Sequence, residues 1–128
     1  MALRVTAAVE ILTAAACMVS PSLPIAVLFG APLESLLDTF IARFVGVPLI
    51  CLGLACWRAA GDHSGAASVL LTAMLLYHVL AAVLLAYAGL ALRLTGIGLW
   101  PAVLAHLALA AGCVTALRPS GRPLGCGR

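Results

Sequence analysis

Two histidines, one glutamate and one arginine stand inside long apolar stretches of this chain: His78, His106, Glu10 and Arg43. Ionisable groups in such surroundings are costly and by default mark a function, so each is read with a partner. If a helix begins near Ala67, a rise of about 1.5 Å per residue puts His78 roughly 16 Å above its start. His106, counted back from the end of the last apolar stretch, comes to nearly the same height. Two imidazoles at one depth on consecutive antiparallel helices can bond each other, Tyr77, Thr72 or a backbone carbonyl. An interhelical hydrogen bond of that kind is worth about 0.6 to 2 kcal/mol and is the first reading. The alternatives are axial ligation of a tetrapyrrole metal by His78 and His106, or a proton or quinone role.

Glu10 falls roughly 9 Å into its helix. A largely neutral carboxyl is expected there, bonded to Thr13, Thr72 or backbone, with proton carriage as the functional reading. Arg43 belongs near the far end of the second span, where its side chain can snorkel to the headgroups. Its height differs from that of Glu10 by roughly 13 Å, which excludes a direct ion pair. No HxxxH or HExxH motif occurs, so a zinc or di-iron site lacks ligands, and no catalytic residue is assigned. The five cysteines, Cys17, Cys51, Cys56, Cys113 and Cys126, form no CxxC pair and read as small hydrophobes, with Cys126 a reactive thiol in a polar tail. His63, in a polar turn, reads as solvated.

The elements that must position these groups follow from composition. Hydrophobic residues make up 65% of the 128 and charged residues 9%, against roughly a quarter charged in soluble domains. A soluble fold of this size buries only about two-thirds of its chain surface, so the remaining apolar excess needs lipid. The net charge of +3 comes from seven scattered arginines and no lysine, which gives no nucleic-acid footprint. Lysine-free, alanine-rich composition points to GC-rich coding and a bacterial source.

Four spans are expected: Val5 to about Pro21, Thr39 to Trp57, Ala66 to Leu92, and Trp100 to about Leu117. Glu10 argues against reading the first as a secretory signal. Between the first two, Pro21, Pro24, Gly30 and Pro32 bracket the short apolar run Ile25 to Phe29, which is too short to cross and is expected to lie in the interface. Pro32 is expected in the first turn of the second span, with Glu34 and Asp38 near its positive end. Trp57 and Trp100 mark the interfaces. The fold class is therefore all-α: a polytopic membrane protein with an antiparallel four-helix transmembrane bundle over residues 1–118, a short interfacial segment between the first two spans, and a flexible basic tail over 119–128.

Four spans place Arg4, Arg58, Arg118, Arg122 and Arg128 on one side against Arg93 and Arg43, which puts both termini in the cytoplasm of a bacterial inner membrane. Asp38 could then pair with Arg93 at the outer ends of two helices.

The strings Leu28-Phe29-Gly30-Ala31-Pro32, Ala42-Arg43-Phe44-Val45-Gly46 and Leu52-Gly53-Leu54-Ala55-Cys56-Trp57 resemble those of small four-helix DoxX-like bacterial membrane proteins of unknown function. The resemblance implies an up-down bundle with an arginine early in the second span, here Arg43. Some relatives are tied by name to quinol oxidation and thiol redox systems, whereas this chain shows no thiol pair in its sequence. The reading of function favoured at this level is a non-enzymatic accessory or stabilising subunit of a larger membrane complex. It would dock through small-residue faces, without a cofactor, in contact with lipid and with other membrane subunits or a second copy. The alternatives are a tetrapyrrole- or quinone-binding redox protein and an oligomeric transporter of protons or small solutes.

Overall fold

The computed structural model describes residues 1–61 and 65–118, and His63, Cys126 and the tail from 119 onward lie outside them. The described residues form five helices: α1 (Ala2–Val19), α2 (Ser22–Phe29), α3 (Leu36–Ala59), α4 (Ala66–Leu90) and α5 (Leu99–Leu117). The described residues contain no strand. Four helices, all but α2, are long and apolar enough to span a membrane. Eighteen residues give about 27 Å and 25 give about 37 Å, against a hydrocarbon core of about 30 Å. At eight residues, α2 reaches only about 12 Å, and no residue of it is buried.

Inward-facing positions repeat at alternating steps of four and three. On α1 they are Leu3, Ala7, Glu10, Ala14 and Cys17, and on α3 Ala42, Gly46, Leu49, Gly53 and Cys56. On α5, Leu99, Val103, Ala110 and Cys113 are buried, with half-buried His106 between them. That spacing is the seam of a left-handed helix pair. The seam is lined by small residues, while Phe40, Phe44, Leu84 and Leu104 project outward. Lipid removes any hydrophobic incentive to bury large side chains, so close backbone packing takes over the interior.

Two antiparallel pairs result, α1 with α3 and α4 with α5, and the pairs meet more loosely along α1–α5 and α3–α4. Glycine sets the closeness within the first pair. A Cβ on Gly53 would stand 2.6 Å from Cγ1 of Ile11 and 3.2 Å from the Ala7 carbonyl oxygen, and one on Gly46 3.0 Å from the Ala14 carbonyl oxygen.

Helix α3 begins three residues before the expected start of the second span at Thr39, yet after Pro32, which was expected in its first turn: Ser35 is the N-cap, so Pro32 and Glu34 precede the helix. The Asp38 amide donates to Oγ of Ser35 (3.1 Å) and the Ser35 amide donates to Oδ2 of Asp38 (2.9 Å), a reciprocal capping box. The carboxylate of Asp38 is thereby committed to its own helix start, not to Arg93 as the sequence suggested. At the same end α2 docks on the loop between α4 and α5. The Gly98 amide donates to the Val27 carbonyl at 2.8 Å, and a side chain on Gly96 would overlap the Leu28 backbone. Gly30 then ends α2 in the left-handed conformation, φ 69°.

Candidate functional site

Glu10, His78 and His106 each stand about half-way along α1, α4 and α5, so the seam turns polar in one central layer. Glu10 is 2% exposed and His78 is fully buried. The two histidines bond each other: Nδ1 of His78 and Nδ1 of His106 are 3.0 Å apart. The equal depth read from the sequence is thus present in the fold. On its other side, Nε2 of His78 lies 3.4 Å from Oγ1 of Thr6, a longer and weaker bond that links α4 to α1 across the diagonal of the bundle.

A second diagonal bond lies beside the first. The Tyr77 hydroxyl donates to Oε2 of Glu10 at 3.1 Å. This corrects two expectations: Glu10 is held by Tyr77 and not by Thr13, Thr72 or backbone, and Tyr77 serves the glutamate and not a histidine. Thr72 faces outward and donates to the Ser68 carbonyl of its own helix at 3.0 Å. The Tyr77 ring remains against both imidazoles, with centroids 5.1 Å from His78 and 5.9 Å from His106. Oε1 of Glu10 is buried with no protein group to bond it. Leaving such an atom unpaired costs about 1 to 3 kcal/mol, so it marks the layer as something other than optimised packing.

A partly enclosed cleft of about 350 Å³ adjoins this layer. Tyr77 and His106 form its polar wall, and Thr13, Leu28, Val45 and Ala102 belong to the rest of its lining. Val9 and Ala105 also line it and are exposed on the bundle surface, so the cleft opens toward lipid. Since Nδ1 of His106 is engaged by His78, Nε2 is the nitrogen left for a molecule in the cleft.

No protein-family model, curated protein or solved structure matches this chain.

Metal ligation by the pair meets a geometric obstacle. A tetrapyrrole metal held axially between two trans imidazole nitrogens at about 2 Å each would separate them by about 4 Å, and the macrocycle would have to lie in the gap. The two Nδ1 atoms are 3.0 Å apart and face each other directly. Among the described residues no group of three or more histidine, cysteine or acidic side chains is placed to hold a metal ion. Arg43 is exposed on α3 and has no part in the central layer. The fold also brings together what the sequence kept apart. Cys56 and Cys113, 57 residues from one another, share one core cluster with Leu3, Ala7, Leu71 and Met74 toward the chain termini. Thr6 was missed as a site residue because a threonine one turn before a glutamate carries no signal until α4 is placed beside it.

Proposed function

We propose that this chain is a multi-pass protein of a bacterial inner membrane, with cytoplasmic termini, that binds a small lipophilic molecule through His106, and that a quinone is the class of ligand that fits. The observation that carries the reading is His106 in the wall of an otherwise largely apolar cleft, with one ring nitrogen bonded to His78 and the other unused. Concave apolar sites with few convergent polar groups are where small ligands bind. A quinone has a flat apolar ring and carbonyl oxygens that accept from an imidazole N–H, and it reaches such a cleft from lipid.

The accessory-subunit reading draws on small-residue faces free to dock a partner. In this bundle the faces of Gly46, Gly53, Ala82 and Ala110 are occupied internally. The ligand reading needs no partner and uses the one polar layer that packing leaves unexplained. It is also compatible with a DoxX-like affiliation, which Arg43 and the strings around it suggest. The proposal assigns binding, not catalysis.

Titration of the purified protein in phospholipid nanodiscs with decylubiquinone tests it. Saturable binding is expected, weakened at least tenfold by His106→Leu and unchanged by Leu107→Ala on the exposed face. Non-saturable partitioning equal in all three samples would remove the reading.

A further inference from the structure

We infer that Thr6, His78 and His106 form one reversible hydrogen-bond relay that lets the cleft accept either a carbonyl or a hydroxyl group at the same position, an inference that rests on the cleft being a ligand site. A hydrogen bond between two Nδ1 atoms 3.0 Å apart requires one of them to carry a proton and the other to be bare. In two neutral rings that choice fixes everything else. If His106 donates from Nδ1, His78 must carry its proton on Nε2 and donate to Thr6, while Nε2 of His106 is bare and accepts from a ligand hydroxyl. If His78 donates from Nδ1, its Nε2 is bare and accepts from the Thr6 hydroxyl, while Nε2 of His106 carries a proton and donates to a ligand carbonyl.

Thr6 makes both arrangements available, because a hydroxyl is donor and acceptor in one rotor and stands 3.4 Å from Nε2 of a fully buried ring. The ligand class follows: molecules that exist as a carbonyl and as the corresponding phenol, the oxidised and reduced forms of one skeleton. A phenol oxygen is a weak acceptor and so calls for the bare nitrogen, whereas an alcohol would fit either arrangement. His78 and Thr6 do not line the cleft and act through His106, so they are positioning residues.

The experiment uses the full chain in nanodiscs, labelled with nitrogen-15 histidine, together with a matched probe pair held anaerobically, duroquinone and its quinol. Without ligand, the spectrum is expected to show one of His78 and His106 protonated at Nδ1 and the other at Nε2. Duroquinone and its quinol are expected to bind the wild-type protein within about threefold of each other. Thr6→Val keeps the shape and removes the rotor. A buried N–H without an acceptor is less tolerable than a bare ring nitrogen, so this variant locks the arrangement in which His78 donates. The quinol is then expected to lose about fivefold or more relative to duroquinone, and Thr6→Ser to restore parity. Loss of both ligands equally in Thr6→Val, or two histidines in the same tautomer, would overturn the relay. If neither probe binds the wild-type protein saturably, the cleft reading falls with its ligand class, and the nitrogen spectrum alone decides the relay.

Discussion

Tyr77 reaches across the diagonal of the bundle to donate its hydroxyl proton to Glu10 at 3.1 Å, joining two helices that otherwise make little direct backbone contact. The two helix pairs are thus tied through their polar side chains as well as through the apolar cluster near the termini. Removing the donor leaves both oxygens of Glu10 without a partner. Tyr77→Phe is expected to destabilise the protein by about 1 to 3 kcal/mol. Glu10→Leu combined with Tyr77→Phe is expected to cost less than the sum of the single changes, with a coupling of about 0.6 to 1.7 kcal/mol. Reversible unfolding in mixed micelles measures all four corners of the cycle, and strict additivity would show that the bond contributes nothing.

Glycine substitutions should separate sharply by position. Gly96→Ala puts a methyl group into the Leu28 backbone and is expected to displace α2 from the α4–α5 loop. Gly61→Ala meets nothing within 4 Å and is expected to be silent. Thiol labelling of a Leu28→Cys chain reads the displacement: faster labelling in the Gly96→Ala background, and no change beside Gly61→Ala.

The capping box gives a third prediction. Asp38→Ala is expected to lower stability by about 0.5 to 2 kcal/mol through the start of α3, and Ser35→Ala by a similar amount. Arg93→Ala should leave the cost of Asp38→Ala unchanged. A double-mutant cycle that couples Asp38 to Arg93 more strongly than to Ser35 would contradict the assignment.

The histidine geometry predicts an optical result. With the two Nδ1 atoms 3.0 Å apart, the purified protein is expected to lack the absorption bands of a haem with two histidine ligands, both oxidised and reduced. Bands lost in both His78→Ala and His106→Ala would refute this geometry as the working state.

Much of the fold was legible because lipid imposes a coarse rule on sequence. Four long apolar stretches became α1, α3, α4 and α5, and the helix bounds at Val19, Ala66 and Leu117 fall on the residues where punctuation begins or ends. The depth match of His78 and His106 needed only the helical rise. The start of α3 was missed because Pro32 is a familiar first-turn residue, whereas the Ser35 and Asp38 pair, three apart, is the shorter aspartate form of the capping box. The partners of Glu10 were missed for a different reason. Rise along an axis gives height but not azimuth, and only the placing of α4 diagonally to α1 decides that Tyr77, and not Thr13 or Thr72, faces the carboxyl.

The seating of α2 on Gly96 and Gly98 bears on how the chain is made. Its receptor lies some seventy residues later in the sequence, so α2 leaves the ribosome long before there is anything for it to rest on. The α1–α3 hairpin can close early, but the segment joining its helices stays undocked until Gly96 and Gly98 have been made. Docking of α2 therefore has to wait for that loop, and a chain stopped before residue 96 would hold its first three spanning helices with that linker still without its seat.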